Sequence, residues 1–223
     1  MKLFNQNPSE SDEKKSAPPE KGLLLFFYIL YWDFFSLIKV NLLFFLFCIP
    51  VITIPAAYCA MTRIIVSMVR DKEHFLWTDF WNTFRKEFKK ATVSGLILGV
   101  GMAASAMGIW YYWGFLSLQG PFWPIVPFSL AGAILLPFVA FSLFPMISLV
   151  DLPLGKLIKN ACLLVTISFF RYAFALLICA TFIILALMLL PLSLVPVLLL
   201  YPSLLTLITV LSAYGAIKKH ILA

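Results

Sequence analysis

The chain has 223 residues, 62% of them hydrophobic and 12% charged, with a mean hydropathy of +0.99, whereas soluble domains carry about 25% charged residues. So few charges cannot cover a globular surface, which excludes a water-soluble domain large enough to act as an enzyme by itself. The net charge of +7 does not point to nucleic acid, because the bases sit in short segments flanking apolar runs rather than on a folded basic face.

Residues 1–21 hold four bases and four acids with Ser9, Ser11, Ser16, Pro18 and Pro19, and are expected to be a disordered cytoplasmic tail. From there to residue 220 the chain reads as one transmembrane domain. An apolar stretch broken by Pro50 and Pro55 predicts two spans, near residues 30–49 and 56–70, because proline removes a donor and clashes with the preceding turn. The second is short. Trp77, Phe80, Trp81, Phe84 and Phe88 then recur at steps of three and four, with Asp79, Asn82, Arg85, Lys86, Lys89 and Lys90 as the polar remainder. An aromatic face opposed by bases predicts an amphipathic helix over residues 75–90 that lies in the anionic cytoplasmic leaflet or packs on a partner.

A third span is expected over residues 91–112, with Gly95, Gly99, Ala103 and Met107 in register and Gly101, Ser105 and Gly108 on nearby turns. Small residues at this spacing let helices approach closely in lipid. Trp110, Tyr111, Tyr112, Trp113 and Trp123 read as an interfacial belt. The fourth span, 125–149, contains Pro127, Pro137 and Pro145, so bends are expected. Two more follow at 170–190 and 197–217. The expected fold is therefore all-α: a polytopic transmembrane bundle of about six spans with an interfacial helix on its cytoplasmic side.

No charge occurs between Ala91 and Val150 or between Tyr172 and Ile217. The connections near Pro50, Gly120 and Pro191 are likewise uncharged, whereas the bases gather in the tail, at Arg70 to Lys90, at Lys156 and Lys159, and at Lys218 and Lys219. With both termini inside, every loop obeys the positive-inside rule. The expected location is a membrane, crossed several times, with both termini cytoplasmic.

Catalytic motifs are missing from the sequence: there is no phosphate loop, no GxSxG and no HExxH. Cys48, Cys59, Cys162 and Cys179 lie in apolar runs without CxxC spacing, and His74 and His220 lack neighbours at ligand spacing, so no metal or other cofactor is expected. Charges inside spans are costly and are the default functional candidates. Asp33, Lys39, Arg63 and Arg171 qualify, with Asp151 at the margin. Lys39, Arg171 and Asp151 have the simpler reading of snorkelling at the interface, and Asp33 is expected to pair with Arg63 or Arg171.

The run from Lys39 through Asn41, Pro50 and Thr53 to Pro55 and Ala56 resembles the opening of the YesL-like family of bacterial membrane proteins, though Val40 precedes Asn41 and Ile54 directly precedes Pro55. Thr78-Asp79-Phe80-Trp81 with Phe84-Arg85-Lys86, Phe144-Pro145, and Leu157 to Ala161 are similar to later parts of it. The resemblance implies a small polytopic protein with no assigned activity, often encoded near carbohydrate uptake systems, and brings no catalytic residues. It suggests a non-enzymatic accessory of a sugar importer or sensor; the alternative is a small-solute or ion transporter or channel in its own right. The oligomeric state is left open.

Overall fold

The structure is a computed structural model that describes residues 23–70, 75–114, 125–188 and 194–220. The tail over 1–21 and the connections near Gly120 and Pro191 fall outside these. Every regular element among the described residues is helical: α1 (Leu23–Trp32), α2 (Phe34–Phe47), a 3₁₀ turn (Val51–Thr53), α3 (Ile54–Val69), α4 (Leu76–Gly114), α5 (Ile125–Leu149), α6 (Leu154–Ile167), α7 (Phe169–Met188) and α8 (Leu194–His220).

By length and composition four helical stretches can cross a membrane: Val51–Val69, Leu76–Tyr111, Ile125–Leu149 and Phe169–Met188. A fifth is formed if α1 and α2, which meet at 80°, count as one broken span. The expected sixth span lies in α8 (Leu194–His220), which contains the apolar stretch Leu199–Gly215. These apolar helices make the chain an integral membrane protein.

Local chemistry explains the breaks. Asp33 leaves helical geometry at φ −107°, ψ 19°, and separates α1 from α2. Pro50 disfavours helix at Ile49, and the Thr53 hydroxyl donates to the carbonyls of Phe47 and Pro50, tying the turn across itself. Pro55 falls in the first turn of α3, where a missing N–H costs nothing. Pro137 and Pro145 are accommodated inside α5. Nearby, the Ser142 hydroxyl is shared among the carbonyls of Phe138, Val139 and, on α6, Ala161. Thr62, Thr206, Thr209 and Ser212 also donate back to their own helices, the usual way a hydroxyl is satisfied where water is scarce.

α4 departs most from expectation. The interfacial helix expected over 75–90 and the span expected over 91–112 are one unbroken helix of 39 residues, about 58 Å long, nearly twice the roughly 30 Å hydrocarbon thickness. Its inward stripe runs Phe80, Phe84, Glu87, Ala91, Ser94, Leu98, Gly101, Ser105 and Gly108, all buried or half-buried, at alternating steps of four and three. That periodicity passes straight through the charge boundary at Lys90, so packing holds the helix together where composition suggests a break.

Two neighbours divide α4 between them. Its second half packs antiparallel on α5. A methyl at Gly101 would meet Leu136 at 2.9 Å, one at Gly108 would meet Ser129 at 2.1 Å, and one at Gly132 would meet Ser105 at 2.3 Å. Its first half packs antiparallel on α3, and Pro55 lies against Gly95, where a methyl would come within 2.3 Å of the proline ring. The other residues of the expected small-residue seam, Gly99, Ala103 and Met107, point outward, and nothing lies within 4 Å of a methyl at Gly99. The buried core falls into two clusters. One joins α5 and α6 with Ala56 and Cys59 of α3, Ala91 and Leu98 of α4, Tyr172 of α7, and Ala213 and Ile217 of α8; the other joins α1, α2, the rest of α3, Phe80 and the middle of α8.

Candidate functional site

The expected intramembrane residues do not converge. Asp33 is half-buried at the α1–α2 break, Lys39 is exposed on α2, and Arg171 is exposed at the start of α7, where its Nη1 lies 3.1 Å from the position of a methyl at Gly215. Among the described residues no ion pair joins Asp33 to Arg63 or to Arg171. Arg63 instead donates through Nη1 to the Ser148 carbonyl at 2.8 Å. That carbonyl is in the last turn of α5, where oxygens have no intrahelical donor and the helix dipole is negative. Arg63 is thus a cap supplied from a neighbouring helix.

What the fold does assemble is a joint of five charges at the meeting of α3, α4 and the α5–α6 connection. Lys86 Nζ lies 2.5 Å from an Asp151 carboxylate oxygen, and Lys90 lies 3.6 Å from the other. Lys90 also approaches Glu87 at 3.3 Å, and Lys86 approaches it at 3.9 Å. Arg63 on α3 and Glu87 and Lys90 on α4 all act electrostatically on buried Cys59. The hydrogen bond from Lys86 holds the exposed Asp151 carboxyl below the usual carboxylate range.

Glu87 escapes a reading of the sequence that sorts residues into an aromatic face and a basic face. It is nonetheless buried, and the signal was available, since Glu87 lies seven residues after Phe80 and four before Ala91, on the inward stripe. A buried carboxylate is tolerable only beside cations, and Lys90 and Lys86 supply them. Chemically the joint can fasten α4 to the α5–α6 connection and hold positive charge near one end of the bundle.

The residues expected to form an interfacial helix divide by side. Phe80 is buried, Phe84 and Phe88 are half-buried, and Lys90 is half-buried; Trp77, Trp81, Arg85, Lys86 and Lys89 are exposed. The Phe47 ring from the end of α2 rests among Trp77, Phe80, Trp81 and Phe84, at centroid distances of 6.3, 5.2, 5.6 and 5.0 Å. The Arg85 guanidinium lies over the Trp81 ring at 5.3 Å, within cation–π range. The stripe therefore packs mainly on its own chain, leaving the two indoles and the bases outward.

No curated protein and no solved structure matches the chain. Residues 37–109 match the model of a family described as a protein of unknown function, DUF624, a region that runs from α2 through the Pro50 turn and α3 to the far part of α4. The chain is thus an integral membrane protein, similar over that third of its length to this family.

Proposed function

We propose that the chain is a non-enzymatic component of a bacterial plasma membrane, multi-pass with both termini cytoplasmic, that associates with another membrane complex such as a sugar importer. The observation that carries this reading is the first half of α4. It extends about 22 Å beyond the uncharged part of the same helix and presents Trp77, Trp81, Arg85 and Lys89 outward. Exposed tryptophans beside arginine are the composition enriched at energetically dominant points of protein interfaces. The YesL-like resemblance, with its carbohydrate-uptake neighbourhood, supports the choice of partner, and the placement of bases supports the orientation. A transporter reading has less support, because its leading candidate, Arg63, is engaged with the Ser148 carbonyl.

Affinity purification in mild detergent tests the proposal. A permease or ATPase recovered in stoichiometric amount with the wild type, and lost with the Trp81→Ala, Arg85→Glu variant, is the expected result. A lone protein that carries solute across liposomes would overturn it in favour of the transporter.

A further inference from the structure

From Pro55 against Gly95, just inside the uncharged part of α4, α3 runs antiparallel toward the charged half, and the Phe47 ring at the end of α2 rests on that charged half. Leu76 to Lys90 contains six charged residues in fifteen, and Arg85, Lys86 and Lys89 are exposed, so this stretch belongs outside hydrocarbon. The uncharged part of α4 begins at Ala91. Along α3, Cys59 feels the charges of Arg63, Glu87 and Lys90, and Pro55 lies against Gly95, five residues or about 7 Å past Lys90. Phe47, on the other side of the turn, lies among rings of the charged half. The far end of α4 at Trp110 is a further fifteen residues, about 22 Å, away.

We propose that α2 and α3 form a re-entrant hairpin: the Pro50 turn dips into the leaflet on the basic side of the protein, and the chain returns to that same side. The surface it offers is suited to acyl chains. Ile49, Val51 and Ile52 are 76%, 77% and 69% exposed, and no charge occurs between Lys39 and Arg63. Alone, α2 is short for crossing, with 14 residues or about 21 Å against roughly 30 Å of hydrocarbon, and α3 with its 16 residues reaches crossing length only together with the turn at Val51–Thr53. The 80° break at Asp33 fits as well. With the hairpin along the membrane normal, α1 lies nearly in the plane of the surface, bringing Tyr28, Tyr31 and Trp32 to the depth that such aromatics favour. The pair then contributes an anchor in one leaflet rather than two crossings, and the start of α4 stays on the side of the N-terminus. Which face of the membrane this is rests on the orientation proposed above, whereas the re-entrant path does not.

Single-cysteine variants Ile49→Cys and Ile52→Cys, in a background whose native cysteines are replaced and whose melting matches wild type, carry a nitroxide in proteoliposomes. Lys89→Cys and Trp110→Cys serve as references for the two sides. A nickel chelate is supplied to one side at a time, and oxygen accessibility reports depth. Labels at 49 and 52 are expected to be relaxed by chelate on the side that relaxes the Lys89 label, at a depth within that leaflet. Relaxation from the Trp110 side, or a position at the bilayer midplane, would overturn the hairpin. If the proposed orientation is wrong, the Lys89 label changes sides and the hairpin labels change with it, so the two failures are distinct.

Discussion

The Arg63 guanidinium of α3 donates to the Ser148 carbonyl in the last turn of α5 at 2.8 Å, joining two helices 85 positions apart in the chain. A single charge-assisted hydrogen bond to a carbonyl needs one donor, not the planar fork that a carboxylate rewards. Arg63→Lys should therefore keep most of the stability, whereas Arg63→Ala should lose about 1.5–3 kcal/mol, the range for hydrogen bonds to charged groups. Because Asp33 does not share this contact, the Asp33→Asn and Arg63→Ala effects should add within about 0.5 kcal/mol. Melting of the four proteins in detergent checks this, and a clearly non-additive double mutant would restore an Asp33–Arg63 pair.

Gly95 and Gly99 lie one helical turn apart yet should respond oppositely to alanine. At Gly95 the added methyl meets the Pro55 ring at 2.3 Å, a rigid neighbour that cannot rotate away, so a loss of about 1–3 kcal/mol is expected from overpacking. At Gly99 the methyl meets open space, and the higher helix propensity of alanine should be neutral or worth up to about 1 kcal/mol. Thermal melting of both variants decides the matter; equal losses would contradict the packing of α3 on α4.

The Lys86–Asp151 contact sets a pH dependence. The carboxyl of Asp151 is held below its ordinary range chiefly by the hydrogen bond from Lys86. A depressed acid contributes stability that is fully present above its unfolded pKa and is lost as pH falls through the folded one. The contribution is small because both side chains are 63% exposed and surface pairs are screened. Carbon-detected NMR of the carboxyl should show Asp151 titrating below the unfolded value, and Lys86→Met should move it back up. An unchanged titration in Lys86→Met would remove the contact.

Much of the chain was legible from residue order because lipid imposes simple rules. Uncharged runs bounded by bases mark helices, and prolines mark their ends. The span expected over 125–149 coincides with Ile125–Leu149, and that over 170–190 nearly coincides with Phe169–Met188. The same rules misdirected the reading at Lys90. A change in composition there looks like a boundary between two helices, but a helix is continued by its backbone hydrogen bonds, which carry on to Gly114, and by its packing stripe, which carries on to Gly108.

What only the tertiary structure decided concerns partners that leave no mark in a sequence. Arg63 was visible as an exceptional charge, but its partner is a main-chain oxygen, and every residue has one; only the placement of α3 across the end of α5 selects Ser148. Gly95 and Gly99 are the same residue in the same register by steps of four, and the position of Pro55 alone makes one a contact and the other open surface. Hydropathy and charge are properties of residues and can be read in order along the chain. Which helix lies beside which depends on the crossing of folded elements, and is settled only when side chains fill the space between them.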